Sequence, residues 1–163
     1  MENNSLNIAR RDHAGVYIPP PMIYVATFFL SLGLQRVVPL PSAWLETDAA
    51  RTARWVIVAV GLLILFSALR RFAISRNTLI TVKPAKSLET TGIYAVTRNP
   101  MYLALLIMFT AIAFFKGNSW TFLMIAPLLF VVQAYVIRKE EQYLQRAFGE
   151  AFSHYKSKVR RWL

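Results

Sequence analysis

Four blocks of almost unbroken apolar residues divide this chain of 163 residues, and polar, basic stretches separate them. The first, Met22 to Val38, follows the triple proline Pro19-Pro20-Pro21, which fits the first turn of a helix but not its middle. It ends near Arg36, Pro39 and Pro41. The second, Trp55 to Leu69, lies between Arg54 and the pair Arg70-Arg71. The third runs from Pro100 to Phe115 and the fourth from Trp120 to Ile137. Between these last two, Lys116-Gly117-Asn118-Ser119 reads as a tight turn joining an antiparallel helix pair. Each block is slightly short of the about 20 helical residues that cross a bilayer core. Arg54, Arg70 and Lys116 make up the difference by snorkelling, and Trp55 and Trp120 suit the head-group layer. Backbone in hydrocarbon must satisfy its own hydrogen bonds, so helices follow. The pattern predicts an all-α integral membrane protein with a single domain over 1–163. It has about four transmembrane helices, near 22–38, 55–69, 100–115 and 120–137, and a C-terminal helical segment at the cytoplasmic interface. A signal peptide is the competing reading of the first block, but the prolines ahead of it and the lack of an A-x-A site weigh against that.

Composition sharpens this picture. The chain is 56% hydrophobic, as a membrane bundle requires. Cysteine is absent, which excludes disulfides, a thiolate nucleophile and Cys-ligated metal. The two histidines, His13 and His154, are far apart and argue against a histidine metal site. A net charge of +11 could point to nucleic acid, but the cations bracket the apolar blocks instead of forming one basic domain. Placed so, they meet anionic lipid, at about 1 kcal/mol each near the surface. Four passes put all but four of the 19 basic residues on one side, with Arg36, Arg51, Arg54 and Lys116 opposite. The positive-inside rule then places both termini in the cytoplasm. The same face receives the polar stretch from Arg70 to Asn99 and the tail from Arg138.

Candidate chemistry gathers on that face. In Arg98-Asn99-Pro100-Met101-Tyr102, Asn99 suits an N-cap, Pro100 the first helical position and Tyr102 the interface. A helix N-terminus with an arginine beside it is equally a seat for a carboxylate. Gly92 and Tyr94 read as turn chemistry that also lets backbone approach a ligand. Glu140 shares a helix face with Val136, Ile137, Tyr143 and Leu144 and has no cation at i±3 or i±4, so its partner lies elsewhere. That partner is either a ligand or a structural cation such as Arg98. A carboxylate on an apolar face at the membrane border is a functional candidate. Glu141 has Arg138 at i−3 and reads equally as a surface pair. Glu46 and Asp48 read as solvated loop. The tail "FGEAFSHYKSKVRRWL" alternates aromatic and basic residues like an interfacial helix, with His154 at the surface.

Taken together, Gly92-x-Tyr94-x-x-x-Arg98-Asn99-Pro100-x-Tyr102, two membrane helices, Glu140-Glu141-x-x-Leu144-x-x-x-Phe148-Gly149, then Tyr155 and "VRRW", resemble the isoprenylcysteine carboxyl methyltransferase family. That family is related to the phospholipid N-methyltransferases. The match covers roughly Leu88 to Leu163, while the front half resembles bacterial members less specifically. The resemblance implies a membrane enzyme of the bacterial inner membrane that moves a methyl group from S-adenosylmethionine to a lipophilic acceptor, such as an isoprenylcysteine carboxylate or another lipid. It also implies a cofactor-binding half at 88–163, with Gly92, Tyr94, Arg98, Asn99, Pro100, Tyr102, Glu140 and Glu141 lining the pocket. Arg98, Glu140 and Tyr102 become the catalytic candidates, with Arg98 and the helix start taking the cofactor carboxylate. Glu140 or Glu141 takes its ribose or amino group. Asn99 stands where eukaryotic members have histidine, and Arg160 where a proline is usual. No metal is required, because methyl transfer from a sulfonium needs positioning and dehydration above all. The rival readings are a membrane reductase of the related sterol-reductase type and a non-catalytic lipid-binding subunit.

Overall fold

The computed structural model describes residues 14–75, 85 and 87–163. Every regular element among these residues is helical. Helix α1 is Pro20–Val37, α2 Asp48–Ile74, α3 Pro100–Lys116, α4 Ser119–Leu123, α5 Ile125–Val131 and α6 Arg138–Lys158. A π-helical turn, Val132–Ile137, joins α5 to α6, and 3-10 turns occupy Ala43–Leu45 and Gly92–Ala95.

The apolar blocks fall where hydrocarbon would demand helix, but polar residues extend two of them. Helix α2 begins seven residues before Trp55 because Thr47 caps it, its side chain accepting from the Ala50 N–H. The last block continues through the π turn into α6. By length and composition Asp48–Ile74 and the continuous helix Ser119–Lys158 are long and apolar enough to cross a membrane. Pro100–Lys116 is apolar but shorter. In Ser119–Lys158 the apolar stretch ends at Ile137; from Arg138 onward the helix is charged and stands outside it.

Packing fixes the order of the helices. Trp55 at the start of α2 meets Phe115 at the end of α3, with ring centroids 5.1 Å apart. Halfway along, Gly61 admits Met108 and Ile107 so closely that a Cβ would stand 3.0 Å from the Met108 sulfur. Phe72, near the end of α2, lies 5.6 Å from Tyr94, just ahead of α3. The two helices therefore run antiparallel. Helix α1 runs parallel to α3: the Tyr24 hydroxyl donates to the Tyr102 carbonyl at 3.1 Å, and the Asn118 amide donates to the Ser31 carbonyl at 3.3 Å. The turn expected at 116–119 is present, with Gly117 closing α3 and the Asn118 side chain accepting from the Trp120 N–H. Large side chains on the outer faces, among them Phe29, Leu63, Phe66 and Phe130, stay exposed, as residues that face lipid do.

A buried apolar cluster reaches from the middle of the bundle, at Phe109 and Leu128, to one end. Tyr24, Tyr102, Val132, Val136, Ile137 and Tyr143 belong to it, joined by Val16 from the segment ahead of α1. That end holds the close of α2, the start of α3 and the polar part of α6. Its described cations include Arg70, Arg71, Arg98, Arg138 and Arg161; Arg10, Arg11, Arg76, Lys83 and Lys86, along with His13, lie outside the described residues.

The C-terminal tail departs from the interfacial helix expected of it. Within α6, Gly149 adopts φ 51° and ψ −120°, a backbone state open to glycine, and the helix bends there. After the bend Phe152 and Tyr155 are buried against Leu88 instead of lying flat in the head-group layer, while His154 stays exposed. The chain beyond Lys158 leaves the helix and lies across the start of α3.

Candidate functional site

Helix α3 begins at Pro100 for ordinary backbone reasons, and the three residues before it hold the tail. The Arg98 N–H donates to the Arg160 carbonyl at 2.9 Å. The Thr97 hydroxyl and the Asn99 side-chain amide each donate to the Arg161 carbonyl at 3.0 Å. Asn99 thus stands at the N-cap position without capping; its amide serves the tail instead.

Arg98 points inward, with its side chain 9% exposed. One terminal nitrogen donates to the carbonyls of Lys156 and Val159, the other to Glu141 Oε1 at 2.7 Å. Arg161 closes on the same carboxylate, Nε to Oε1 at 2.9 Å and Nη2 to Oε2 at 2.6 Å. Burial pushes the Glu141 carboxyl up, but the hydrogen bonds and charges of Arg161 and Arg98 outweigh it and hold the group below its ordinary range. Glu141 is therefore the centre of an Arg98–Glu141–Arg161 triad, not a surface partner of Arg138. The structural ion pair considered for Glu140 belongs to its neighbour.

Glu140 accepts the Tyr102 hydroxyl at 2.6 Å, joining the polar part of α6 to the first turn of α3. No cation pairs with it among the described residues. Protein surrounds the group on most sides, and the residue keeps some accessible surface. Burial pushes its carboxyl up to about 7, against the pull of the Tyr102 hydrogen bond and with the charge of Glu141 adding to it.

The turn ahead of α3 completes the site. Gly92 has φ 62°, and a Cβ there would stand 3.1 Å from Cδ of Arg71, so the backbone approaches an arginine stem, not open space. The Arg71 guanidinium reaches Thr91 Oγ1 and, at 3.5 Å, Glu89 Oε2. Gly92→Ala is expected to lower stability by about 1–2 kcal/mol through the left-handed backbone and the crowding of Arg71. Thermal unfolding in detergent measures this. Tyr94 is 6% exposed; its carbonyl accepts the Tyr155 hydroxyl at 2.6 Å, while its own hydroxyl is buried without a partner. Burial first, then negative charge on Tyr155, Glu140 and Glu89, holds that hydroxyl well above its ordinary pKa.

The structure thus brings Gly92, Tyr94, Arg98, Asn99, Pro100, Tyr102, Glu140 and Glu141 to one end of the bundle. It adds Arg161, Arg71 and Glu89, which sequence reasoning did not single out. Arg161 stood in view inside "VRRW", but its partner lies 20 residues back; Glu89 carried no signal of its own. Among the described residues no group of His, Asp or Glu could hold a metal ion.

Residues 51–151, from early α2 to just past the Gly149 bend, match the phospholipid methyltransferase family. The chain belongs to the phospholipid methyltransferase family. As a family member it is a membrane methyltransferase. The matched stretch holds Gly92 through Tyr102 and both glutamates, whereas Arg161 and the rest of the tail lie beyond it. A protein of Haemophilus influenzae, described as an uncharacterized protein, is 41% identical over 63 residues, which is its whole length and 39% of this methyltransferase. No solved structure matches the chain.

Proposed function

We propose that the protein transfers the methyl group of S-adenosylmethionine to a lipophilic acceptor at the cytoplasmic face of the bacterial inner membrane. The observation that carries this reading is Glu140: a carboxylate set deep but not sealed, and bonded to Tyr102 in the first turn of α3. When bound, S-adenosylmethionine supplies a methyl group activated by its sulfonium. The residues at hand suit such a guest. Tyr94 offers a buried hydroxyl without a partner, and Arg98 retains one buried N–H, Nε, without an acceptor. The first turn of α3 adds backbone N–H groups for a carboxylate. Arg98 cannot grip a ligand with both terminal nitrogens, because these are held by Glu141 and the tail carbonyls. Its contribution is one N–H and the shape of the pocket wall.

Glu140 and Tyr102 are placed for proton handling. A carboxyl that titrates near neutrality takes a proton from an amine acceptor and releases it again at working pH. A carboxylate acceptor, such as an isoprenylcysteine, needs no base, and there Glu140 would serve to orient. The antiparallel order of α1, α2, α3 and α4–α6 fits four membrane passes in a single domain with both termini in the cytoplasm and the cofactor in the 88–163 half. Acceptors would enter sideways from the bilayer between helices.

Titration of the purified protein in detergent with S-adenosylmethionine tests the reading. Saturable binding in the micromolar range is expected, unchanged by Glu46→Ala. No binding at high micromolar cofactor would overturn it.

A further inference from the structure

Residues 14–18, ahead of α1, supply no side chain to the Arg98–Glu141–Arg161 triad or to the Tyr102–Glu140 pair. Their course is set locally. Pro19 and Pro20 open α1 and push the residue before them into extended backbone, so the helix cannot continue backwards. Gly15 turns the chain with φ 67°, and a Cβ there would meet nothing within 4 Å. The glycine is present for its backbone state, not for space. Beyond the turn Val16 is 1% exposed, whereas Tyr17 and Ile18 are 73% and 51% exposed.

The inner side of this strap lies on the helix face that bears Glu140. Tyr143 and Leu144 share that face, one turn on from Glu140. Val16 and Tyr143 belong to one buried cluster with Tyr102, the residue bonded to Glu140, and Leu144 packs against it. The strap's polar contacts reach the same helix. Lys139, next to Glu140, donates to the Gly15 carbonyl at 3.3 Å, with its ammonium 4.3 Å from the Tyr135 ring centre. The Tyr135 hydroxyl accepts the Ile18 N–H at 3.4 Å. These bonds are long. The C-terminal tail at the same end is bolted more tightly, by the triad and by backbone contacts of 2.9 and 3.0 Å. The outer side of the strap is apolar. Tyr17 and Ile18 stand just ahead of the exposed Met22, Val25 and Phe29 of α1, and an aromatic and an aliphatic side chain suit the border of a bilayer.

We infer that residues 14–18 form a gate between the bilayer and Glu140, hinged at Gly15 and closed by Val16, through which an apolar acceptor reaches the carboxylate. This deepens the proposed function, and the nature of the molecule that passes rests on it. The opening of the gate does not depend on the cofactor.

The probe is dicyclohexylcarbodiimide, an apolar reagent that modifies carboxyl groups in their protonated form. The full chain is placed in vesicles of phosphatidylcholine and phosphatidylglycerol below pH 7, where Glu140 holds its proton, and labelling is followed by peptide mass spectrometry. Glu89, buried beside Arg71, serves as the internal control. When a buried group reacts only from an opened state, its rate follows the population of that state. Gly15→Ala changes no packing contact but disfavours the left-handed turn, and should speed labelling of Glu140 about tenfold. Val16→Ala removes the plug and should speed it by about the same factor. Glu89 should label at the parent rate in both. An unchanged rate at Glu140 in either variant would overturn the gate. So would a rise shared by Glu89 together with a lower melting temperature in detergent, because that is loosening of the whole fold. Titration of the same preparations with S-adenosylmethionine separates the two readings: without binding the methyltransferase reading falls and the acceptor with it, whatever the labelling shows.

Discussion

Glu140→Gln is expected to yield a protein that is more stable than the parent at pH 8 and far slower at methyl transfer to an amine acceptor. The sign follows from where the carboxyl holds its proton. Folded, it stays protonated up to about pH 7; unfolded, it ionises near 4.5. Between those values unfolding releases a proton, so rising pH lowers stability, and above pH 7 the whole penalty is in force. Glutamine never ionises and escapes it, while its amide oxygen still accepts the Tyr102 hydroxyl. The variant should therefore gain on the order of 3 kcal/mol at pH 8 and match the parent near pH 4. Melting curves in detergent across that range measure the difference. On an amine acceptor, loss of the base should slow turnover by about 10²–10⁴-fold. Stability gained and activity lost in one substitution is the behaviour of a group kept for chemistry. A variant no more stable than the parent at pH 8 would show that Glu140 carries no burial penalty.

Glu141→Ala should act in the opposite direction on the fold. It strands the Arg98 guanidinium, 9% exposed, without its counter-ion, whereas Arg161, 36% exposed, can swing toward water. Breaking a buried pair by removing one partner costs about 3–5 kcal/mol. The loss should be largest at neutral pH. A carboxyl held below its ordinary range contributes stability above that range and loses it as pH falls through the depressed value. The tail should also come free, since Arg161 ties it to α6. Carboxypeptidase digestion would then advance past Trp162, whose indole otherwise donates to Gln133 at 3.1 Å. Glu141→Gln keeps the acceptors, loses the charge and should fall between. An alanine variant that melts like the parent would mean the triad contributes nothing net.

What the sequence made legible follows from how far apart the deciding residues are. Hydrocarbon leaves backbone no alternative to helix, so the four blocks could be read directly, and the turn at Lys116–Ser119 with them. That Glu140 finds its partner on another element followed from the absence of any cation one turn away. Which glutamate meets Arg98 did not follow. Arg138, one turn from Glu141, suggested a surface pair, and only the bend at Gly149 returns the tail so that Arg161 takes the carboxylate. Asn99 has the residue type and the position of a cap, yet the returning tail offers its amide a stronger claim. Glu89 and Arg71 face each other across the end of α2 and the polar stretch that follows, with no periodicity to relate them.

The π turn at Val132–Ile137 leaves no compositional mark and has a consequence of its own. Adding one residue to a helical turn rotates everything beyond it by about 100° relative to a straight continuation. The hydrocarbon half of that helix and its charged half therefore keep separate phases, like two gears on one shaft set out of step. Closing the same six residues into a regular α-helical ladder, with none removed, would keep every side chain of the site and yet turn both glutamates away from Tyr102 and Arg98. The aim of the carboxylates is fixed by a count of residues per turn inside the apolar stretch, well away from any group that performs chemistry.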